Sequence, residues 1–380
     1  MTTDNIARII FAGGGTGGHL FPALAIANRV KELLQNKMKT EIIFVGTKRG
    51  IEYRMRESLG YPLYLINMRG IARTLTFKNL LVPFVVIGAL IKAVLLLNRF
   101  RPDIVFGTGG YVCWPVLKVA SWKNITTLLQ EQNSYPGVTT RQLAPKTDTI
   151  YLGFEVAKKY LKTKAEIVVS GNPVRDTITE GERKTALEKF GLDPNRKTIL
   201  ILGGSQGAHA INEAILRSLE KDLLSDKYQI LWQTGKRDYK EVAKMAGAKV
   251  SNCALFPFLQ NMEIAYASAD MVIARAGAST LAEITACGLP SILIPYPYAA
   301  GDHQKKNAQD YVARKMAVMI EEKDLSEVNI FKEALKLLES DQYALMKEAI
   351  RKETANKKKA VDIIAEDVIR KIESIHRIGV

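Results

Sequence analysis

Two glycine-rich turns in this chain each follow a short apolar run and end on groups able to handle a phosphate or a hydroxyl. The first reads Gly13-Gly-Gly-Thr-Gly-Gly-His19 and the second Gly203-Gly-Ser-Gln-Gly207. Glycine lets backbone N–H groups approach an anion, and a helix starting directly afterwards adds the positive end of its dipole. His19 stands where it could take a proton from a reacting hydroxyl, or simply brace the turn. The second turn adds the Ser205 hydroxyl to its backbone donors, a combination suited to a diphosphate. Farther on, Ala274-Arg-Ala-Gly-Ala-Ser-Thr-Leu-Ala-Glu283 opens a helix with Ser279 and Thr280. Glu283, one turn in, can accept both hydroxyls of a ribose, or serve as an ordinary partner of the helix dipole. Amides in Gln130-Glu-Gln-Asn133, at Gln304 and at Asn307 suit sugar hydroxyls.

Other chemistries find no support. Gly13 to Gly18 satisfy GxGxxG, but the following strand ends in Gly46-Thr-Lys48, without the acidic residue that would hold a dinucleotide's ribose. No GxxxxGK[ST] occurs, which excludes a P-loop. Neither an Asp-x-Asp pair nor HExxH is present, so no carboxylate-held divalent metal and no cofactor are expected.

These groups must be held by repeated strand–helix units. In the first half, strands are predicted at Ile6–Ala12, Glu41–Val45, Asp103–Gly107, Thr126–Leu129 and Ile167–Val169. Helices are expected at Pro22–Leu34, Gly50–Leu59 and Leu80–Phe100. The second half repeats the pattern, with strands Thr198–Leu202, Gln229–Gln233, Ala254–Phe256, Met271–Ala274 and Ser291–Ile294. Its helices are Ala208–Ser218, Tyr239–Met245, Met262–Ala267, Ser279–Ala286 and Asp302–Lys315, and the tail from about Ser326 onward is expected to be helical. Such alternation means α/β architecture, with parallel sheets and ligands at the strands' C-terminal ends. Two comparable halves suggest two domains facing across a cleft. The expected boundary lies at Gly171-Asn-Pro-Val-Arg175, giving domains 1–171 and 172–355.

At 380 residues and 47% hydrophobic content, the chain is long enough for two globular domains. Three scattered cysteines, in no CxxC pattern, suit a reduced cytosolic protein. The N-terminus lacks a signal-peptide layout. A net charge of +15 calls for an anionic partner: a nucleotide or an anionic membrane surface, with no nucleic acid expected because no aromatic-basic RNA signature occurs. The apolar run Leu80–Ile91 is too short to span a bilayer and contains Pro83. It is expected to be largely a buried helix. Its N-terminal end, with Phe77, Leu80, Leu81 and Phe84 beside Arg73 and Lys78, would dip into a membrane interface.

Taken in order, GGGTGGH, FGTGGYV, EQN, GNPVR, GGSQGA, QTGK, ARAGASTLAEI and DHQ-x-x-N resemble glycosyltransferase family 28. The likeness is to its MurG group, the N-acetylglucosaminyltransferases of peptidoglycan synthesis, from about Gly13 to Asn307. The resemblance implies a GT-B fold of two Rossmann-like domains, with residues from about 356 to 380 crossing back to the first. It also implies inverting transfer of N-acetylglucosamine from UDP-GlcNAc to the 4-hydroxyl of the muramoyl sugar in undecaprenyl-diphospho-muramoyl-pentapeptide. The setting would be peripheral, on the cytoplasmic face of the bacterial inner membrane.

Carried over by position, Glu283 would hold the ribose, the backbone at Leu259 the uracil, and Ser205 with Arg175 the diphosphate. Ala278, Ser279, Thr280, Gln304 and Asn133 would hold the donor sugar, with Thr16, Gly17, Gly18, Gly204, Gln206 and Arg275 completing the nucleotide-sugar set. Gly14, Gly15, Gly109, Gly110 and Tyr111 would meet the acceptor. His19 or Glu131 would be the base. Two rivals share parts of this pattern. One is another GT-B enzyme, acting on a glycolipid or epimerising a UDP-sugar; the other is a non-catalytic membrane or nucleic-acid binding protein.

Overall fold

A computed structural model describes residues 6–68, 82–203, 207–219, 227–247, 252–355 and 357–378. The chain divides into two compact units, Met1–Arg175 with Lys358–Val380, and Asp176–Lys357. Arg73, Phe77, Lys78, Leu80, Leu81, Gly204, Ser205 and Gln206 lie outside the described residues.

The first unit is built on a seven-stranded sheet. Its strands are β1 (Ile6–Gly13), β2 (Lys39–Gly46), β3 (Leu63–Leu65), β4 (Ile104–Gly109), β5 (Thr126–Glu131), β6 (Thr149–Leu152) and β7 (Glu166–Val169). They lie in the order β3-β2-β1-β4-β5-β6-β7, every neighbouring pair parallel. Helices α1 (Gly17–Leu34), α2 (Ile51–Arg54), α3 (Val82–Phe100), α4 (Cys113–Trp122) and α5 (Val138–Leu143) connect them.

The second unit carries β8 (Lys197–Leu202), β9 (Tyr228–Gln233), β10 (Cys253–Phe256), β11 (Met271–Ala274), β12 (Ser291–Leu293) and β13 (Ala317–Met319). Their order is β10-β9-β8-β11-β12-β13, again parallel throughout. Around them run α6 (Arg183–Phe190), α7 (His209–Ser218), α8 (Tyr239–Gly247), α9 (Met262–Ser268), α10 (Ala278–Ala286), α11 (His303–Ala313), α12 (Ile330–Leu338) and α13 (Asp341–Thr354). The last helix, α14 (Ala360–Ile378), belongs to the first unit.

Strand β1 shows why unbroken apolar runs mark such sheets. Ile9 and Phe11 point to one face, against Leu20 and Ile26 of α1 and Ile364 and Val368 of α14. Ile10 and Ala12 point to the other, with Leu97 of α3 and Val116 of α4. A strand covered on both faces has no polar side. Along the α1 face, Phe44, Phe11, Phe106 and Tyr151 stack in series, with ring centroids 5.4, 5.2 and 5.8 Å apart. Tyr151 Oη then donates to Asp367 Oδ2 at 2.5 Å, while Arg29 pairs with Asp362 at 2.7 Å. Apolar packing and these polar ties together bind α14 to the first sheet.

Several elements differ from the sequence reading. The helix expected over Gly50–Leu59 is a single turn, α2, followed by turns that end at Gly60 with φ +74°. Helix α1 begins at Gly17, five residues before Pro22; Gly18, whose carbonyl Pro22 has no N–H to serve, is an exposed residue. Strands β3, β6 and β13 and helices α4, α5 and α6 add to the predicted set. Helix α3 is buried only at Ala89, Ala93, Leu96 and Leu97. Phe84, Ile87, Ile91 and Leu95 stand exposed on another face, so the largely buried helix expected here has only one covered side. At 19 residues, α3 is also long and apolar enough to cross a membrane, unlike the shorter run taken from the sequence.

Candidate active site

In the first unit the site grows from the C-terminal ends of β1, β4 and β5. The register of β1 against β4 shifts between Ala12 and Gly13, where a Cβ on Gly13 would lie 1.8 Å from Thr108 Oγ1. That hydroxyl donates to the His19 carbonyl at 2.8 Å and fixes the start of α1 to β4. Gly109 (φ +98°) and Gly110 (φ +80°) then pass directly over the His19 ring. A Cβ at Gly109 would come within 2.9 Å of imidazole atoms, and one at Gly110 within 2.6 Å of the Gly14 carbonyl. GGGTGGH and FGTGGYV therefore form one feature, an imidazole packed beneath a glycine turn.

Helix α1 starts after Thr16, whose side chain makes no capping hydrogen bond, and the first N–H groups of a helix have no partner within it. Gly15 is different. Its N–H donates to Glu52 Oε2 at 2.8 Å, and the Thr47 N–H donates to Glu52 Oε1 at the same distance. Glu52 is 1% exposed, and Cβ atoms on Gly14, Gly46 or Gly50 would all strike its carboxylate or its stem. The acidic residue missing from the end of β2 is thus supplied by α2, and it clamps the glycine loop. Beside it, Gly14, Gly15, Thr47, Arg49, Met68 and Tyr111 line a cavity of about 200 Å³.

The EQN segment is buried more deeply than a row of sugar-binding amides would be. Gln130, Glu131 and Gln132 are 0%, 3% and 4% exposed, and only Asn133 is half-buried. Glu131 accepts from Asn133 N and Nδ2 at 3.0 and 3.2 Å, from Gly137 N at 3.0 Å and from Thr140 Oγ1 at 2.5 Å. Four donors fill the acceptor sites of one carboxylate. Gln132 Oε1 lies 3.1 Å from His19 Nδ1. Arg175 is exposed, its guanidinium 6.0 Å from the centroid of the Phe21 ring.

In the second unit, β8 leads into Gly203, where a Cβ would lie 2.5 Å from Ala208 N. Gly207 (φ +83°) lies against the Thr234 carbonyl shortly before α7 begins. Strand β11 leads into a second uncapped helix start. Gly277 precedes α10, so Ala278, Ser279 and Thr280 occupy its first turn with no side-chain cap. The Ser279 hydroxyl is buried without a hydrogen-bond partner among the described residues. Glu283, half-buried, accepts from Tyr266 Oη at 2.9 Å. Leu259 N donates to Gln233 Oε1 at 2.8 Å.

The chain matches the glycosyltransferase family 28 N-terminal domain over residues 9–152 and the C-terminal domain of the same family over residues 198–366. It is 42% identical, over 91% of its length and 94% of the relative, to a protein of Chlorobaculum tepidum. That relative is named UDP-N-acetylglucosamine–N-acetylmuramyl-(pentapeptide) pyrophosphoryl-undecaprenol N-acetylglucosamine transferase. The chain belongs to the MurG group of glycosyltransferase family 28. A relative of the same name from Flavobacterium psychrophilum is 39% identical over 97% of this chain and 98% of its own. Among solved structures, MurG of Acinetobacter baumannii superposes with a TM-score of 0.73 at 26% identity, covering 96% of this chain and 99% of that one. A UDP-GlcNAc 2-epimerase from Neisseria meningitidis reaches 0.65 at 13% identity, covering 97% of this chain and 100% of its own, and shares the fold alone.

Several polar side chains of the second unit already have partners within it. Arg275 pairs with Glu322 and donates to the carbonyls of Ile294 and Pro295 at 3.2 and 3.3 Å. Gln304 Oε1 accepts from Tyr296 N at 3.0 Å. Asn307, fully buried, donates to the Ala276 carbonyl at 3.2 Å and so steadies the loop before α10. Burial pushes the thiols of Cys113, Cys253 and Cys287 up to about 12, which leaves little thiolate at neutral pH. No group of three or more His, Cys, Asp or Glu side chains among the described residues is placed to share a metal ion. Glu52 was missed by the sequence reading. The only signal was an acidic residue a few positions after β2, in a stretch that looked like plain helix.

Proposed function

We propose that this chain transfers N-acetylglucosamine from UDP-GlcNAc to the 4-hydroxyl of an undecaprenyl-diphosphate-linked muramoyl peptide, with inversion at the anomeric carbon. Family membership supports the donor and acceptor. The observation that carries the donor half is the start of α10, an uncapped helix turn whose Ser279 hydroxyl is buried without a partner among the described residues, with Glu283 one turn on. Backbone N–H groups there receive a diphosphate, and Glu283 exchanges its Tyr266 contact for, or shares it with, the ribose hydroxyls. Ser205 and Arg175 complete the diphosphate set, and the backbone at Leu259 meets the uracil. Ala278, Thr280, Gln304 and Asn133 line the sugar, while Gly204, Gln206, Thr16, Gly17 and Gly18 approach the diphosphate.

In the first unit, Gly14, Gly109, Gly110 and Tyr111 receive the acceptor. His19 acts as the base. The acceptor oxygen attacks the anomeric carbon, its proton passes to His19, and the bond to the diphosphate oxygen breaks with its electron pair leaving on UDP. Developing charge on the leaving group is met by the helix starts and Arg175. Glu131, its acceptor sites filled, holds Asn133 and the start of α5 and does not take the proton.

The reading also places the enzyme peripherally on the cytoplasmic membrane face. Phe84, Ile87, Ile91 and Leu95 form an exposed apolar stripe along α3, spaced as one helix face, with Lys92 and Arg99 also exposed on the helix. Arg73, Phe77, Lys78, Leu80 and Leu81 precede it in the sequence.

The test of the base is His19→Ala. Turnover should fall by roughly 10²–10⁴ while donor affinity holds. Turnover near the wild-type value would remove His19 from the role.

A further inference from the structure

Three segments far apart in sequence meet in a chain of amides beneath His19. Gln132 Nε2 donates to the Thr108 carbonyl at 2.8 Å and to Gln130 Oε1. Gln130 Nε2 donates to Asn172 Oδ1 at 3.0 Å, and Asn172 Nδ2 donates to the Gln132 carbonyl at 2.9 Å. Gln130, Gln132 and Thr108 are at most 4% exposed. Gly153 makes room for the far end, since a Cβ there would lie 2.2 Å from Asn172 Oδ1.

This network settles which way the Gln132 amide points. Reversing it would set Oε1 against three oxygens, the carbonyls of Thr108 and Gln130 and the Gln130 side chain. Its oxygen must therefore face His19, where it can only accept. The 3.1 Å contact to Nδ1 then requires the proton on Nδ1. A neutral imidazole protonated there carries its basic lone pair on Nε2.

We infer that Gln132 is a positioning residue that holds His19 as the Nδ1–H tautomer, with Gln130 and Asn172 orienting Gln132 in turn. Donation runs one way, from His19 to Gln132 to Gln130 to Asn172, so each amide strengthens the acceptor before it. Free histidine side chains in water carry the proton mainly on Nε2, the tautomer unable to take a proton at that atom. Holding the other one commits Nε2 to accepting the substrate proton. This inference rests on the reading of His19 as the base.

The experiment is ¹⁵N NMR of histidine-labelled full-length protein, with His19 assigned by the signal lost in His19→Asn. Neutral wild-type His19 should show a protonated Nδ1 and an unprotonated Nε2. Gln132→Met should shift the population toward Nε2–H and lower kcat by about 10² or more with the donor KM unchanged. Gln132→Glu should retain Nδ1–H and move the acidic limb of the kcat profile to higher pH, because a carboxylate stabilises the imidazolium. A wild-type Nε2–H signal would overturn the proposal even if no variant folds, as would an unchanged tautomer in Gln132→Met. Failure of the base reading is separately visible: His19→Ala would keep its turnover while the wild-type tautomer stayed as stated.

Discussion

The Glu52 carboxylate accepts the Gly15 N–H at 2.8 Å, across 37 positions of sequence. A backbone donor that a glycine loop would be expected to offer to an anion is instead bound within the protein. Its sister oxygen accepts from Thr47 N, so both oxygens must be acceptors. Glu52→Gln can satisfy only one of the two amides. It should lower the thermal midpoint, at about 1.5–3 kcal/mol for the charge-assisted bond lost. It should also raise the acceptor KM through the loosened loop, leaving the donor KM alone. Thermal unfolding with steady-state kinetics checks this, and wild-type values in both would refute the clamp.

Glu283 supports a prediction confined to the second unit. Glu283→Ala should weaken UDP binding by roughly 1.5–3 kcal/mol if the carboxylate holds the ribose, the range for hydrogen bonds to a charged group. Calorimetry of UDP on the variant measures it. Unchanged affinity would leave Glu283 a structural partner of Tyr266 and the helix dipole, with no part in holding the ribose.

The tie between α14 and the first sheet carries a pH signature. Burial pushes the Asp367 carboxyl up, but the hydrogen bonds from Tyr151 and Arg370 and the charge of Lys371 outweigh it and leave its pKa lowered. A carboxylate with a depressed folded pKa stabilises above its unfolded value, near 3.9, and loses that contribution as pH falls through the folded value. Acid unfolding of the wild type should therefore steepen below about pH 4. In Asp367→Asn stability at pH 7 should drop and that part of the acid dependence vanish. Chemical denaturation across pH 2–7 follows both, and parallel curves for the two proteins would contradict the assignment.

The α3 stripe predicts membrane behaviour from exposed side chains. Ile91→Glu and Leu95→Glu should reduce association with anionic vesicles while leaving the unfolding free energy within about 0.5 kcal/mol of wild type, as for surface changes. Vesicle co-sedimentation at two salt concentrations reads the effect. Unchanged binding in both variants would exclude this face.

How much of this could be read from the chain depends on distance along it. The strands β1, β2, β4, β8, β9 and β11 stood out because each is an apolar run covered on both faces. β3 and β13 are three-residue edge strands, too short to show a period. α4 escaped notice because it starts three residues after Gly110 and contains Pro115, two signals that usually mark a loop. Among the candidate groups, Gly15, Gly109, Gly110 and Gly207 were legible because positive φ demands glycine locally. Glu52, and the roles of Gln130 and Gln132, were not. Their meaning comes from partners 37 positions away for Glu52 and 113 for Gln132, which no spacing rule reaches. Arg275 and Asn307 likewise donate to backbone carbonyls 19 and 31 positions away, contacts that spacing does not reveal.

The central claim is glycosyl transfer with His19 as base. Purified wild-type protein and His19→Ala should be given radiolabelled UDP-GlcNAc and the undecaprenyl-diphosphate-linked muramoyl pentapeptide, and label in the lipid product counted over time. The wild type should give a β-linked labelled disaccharide lipid and the variant a rate lower by roughly 10²–10⁴, with UDP-GlcNAc binding intact. No label in the lipid with wild-type protein, or equal rates from the two, would contradict it.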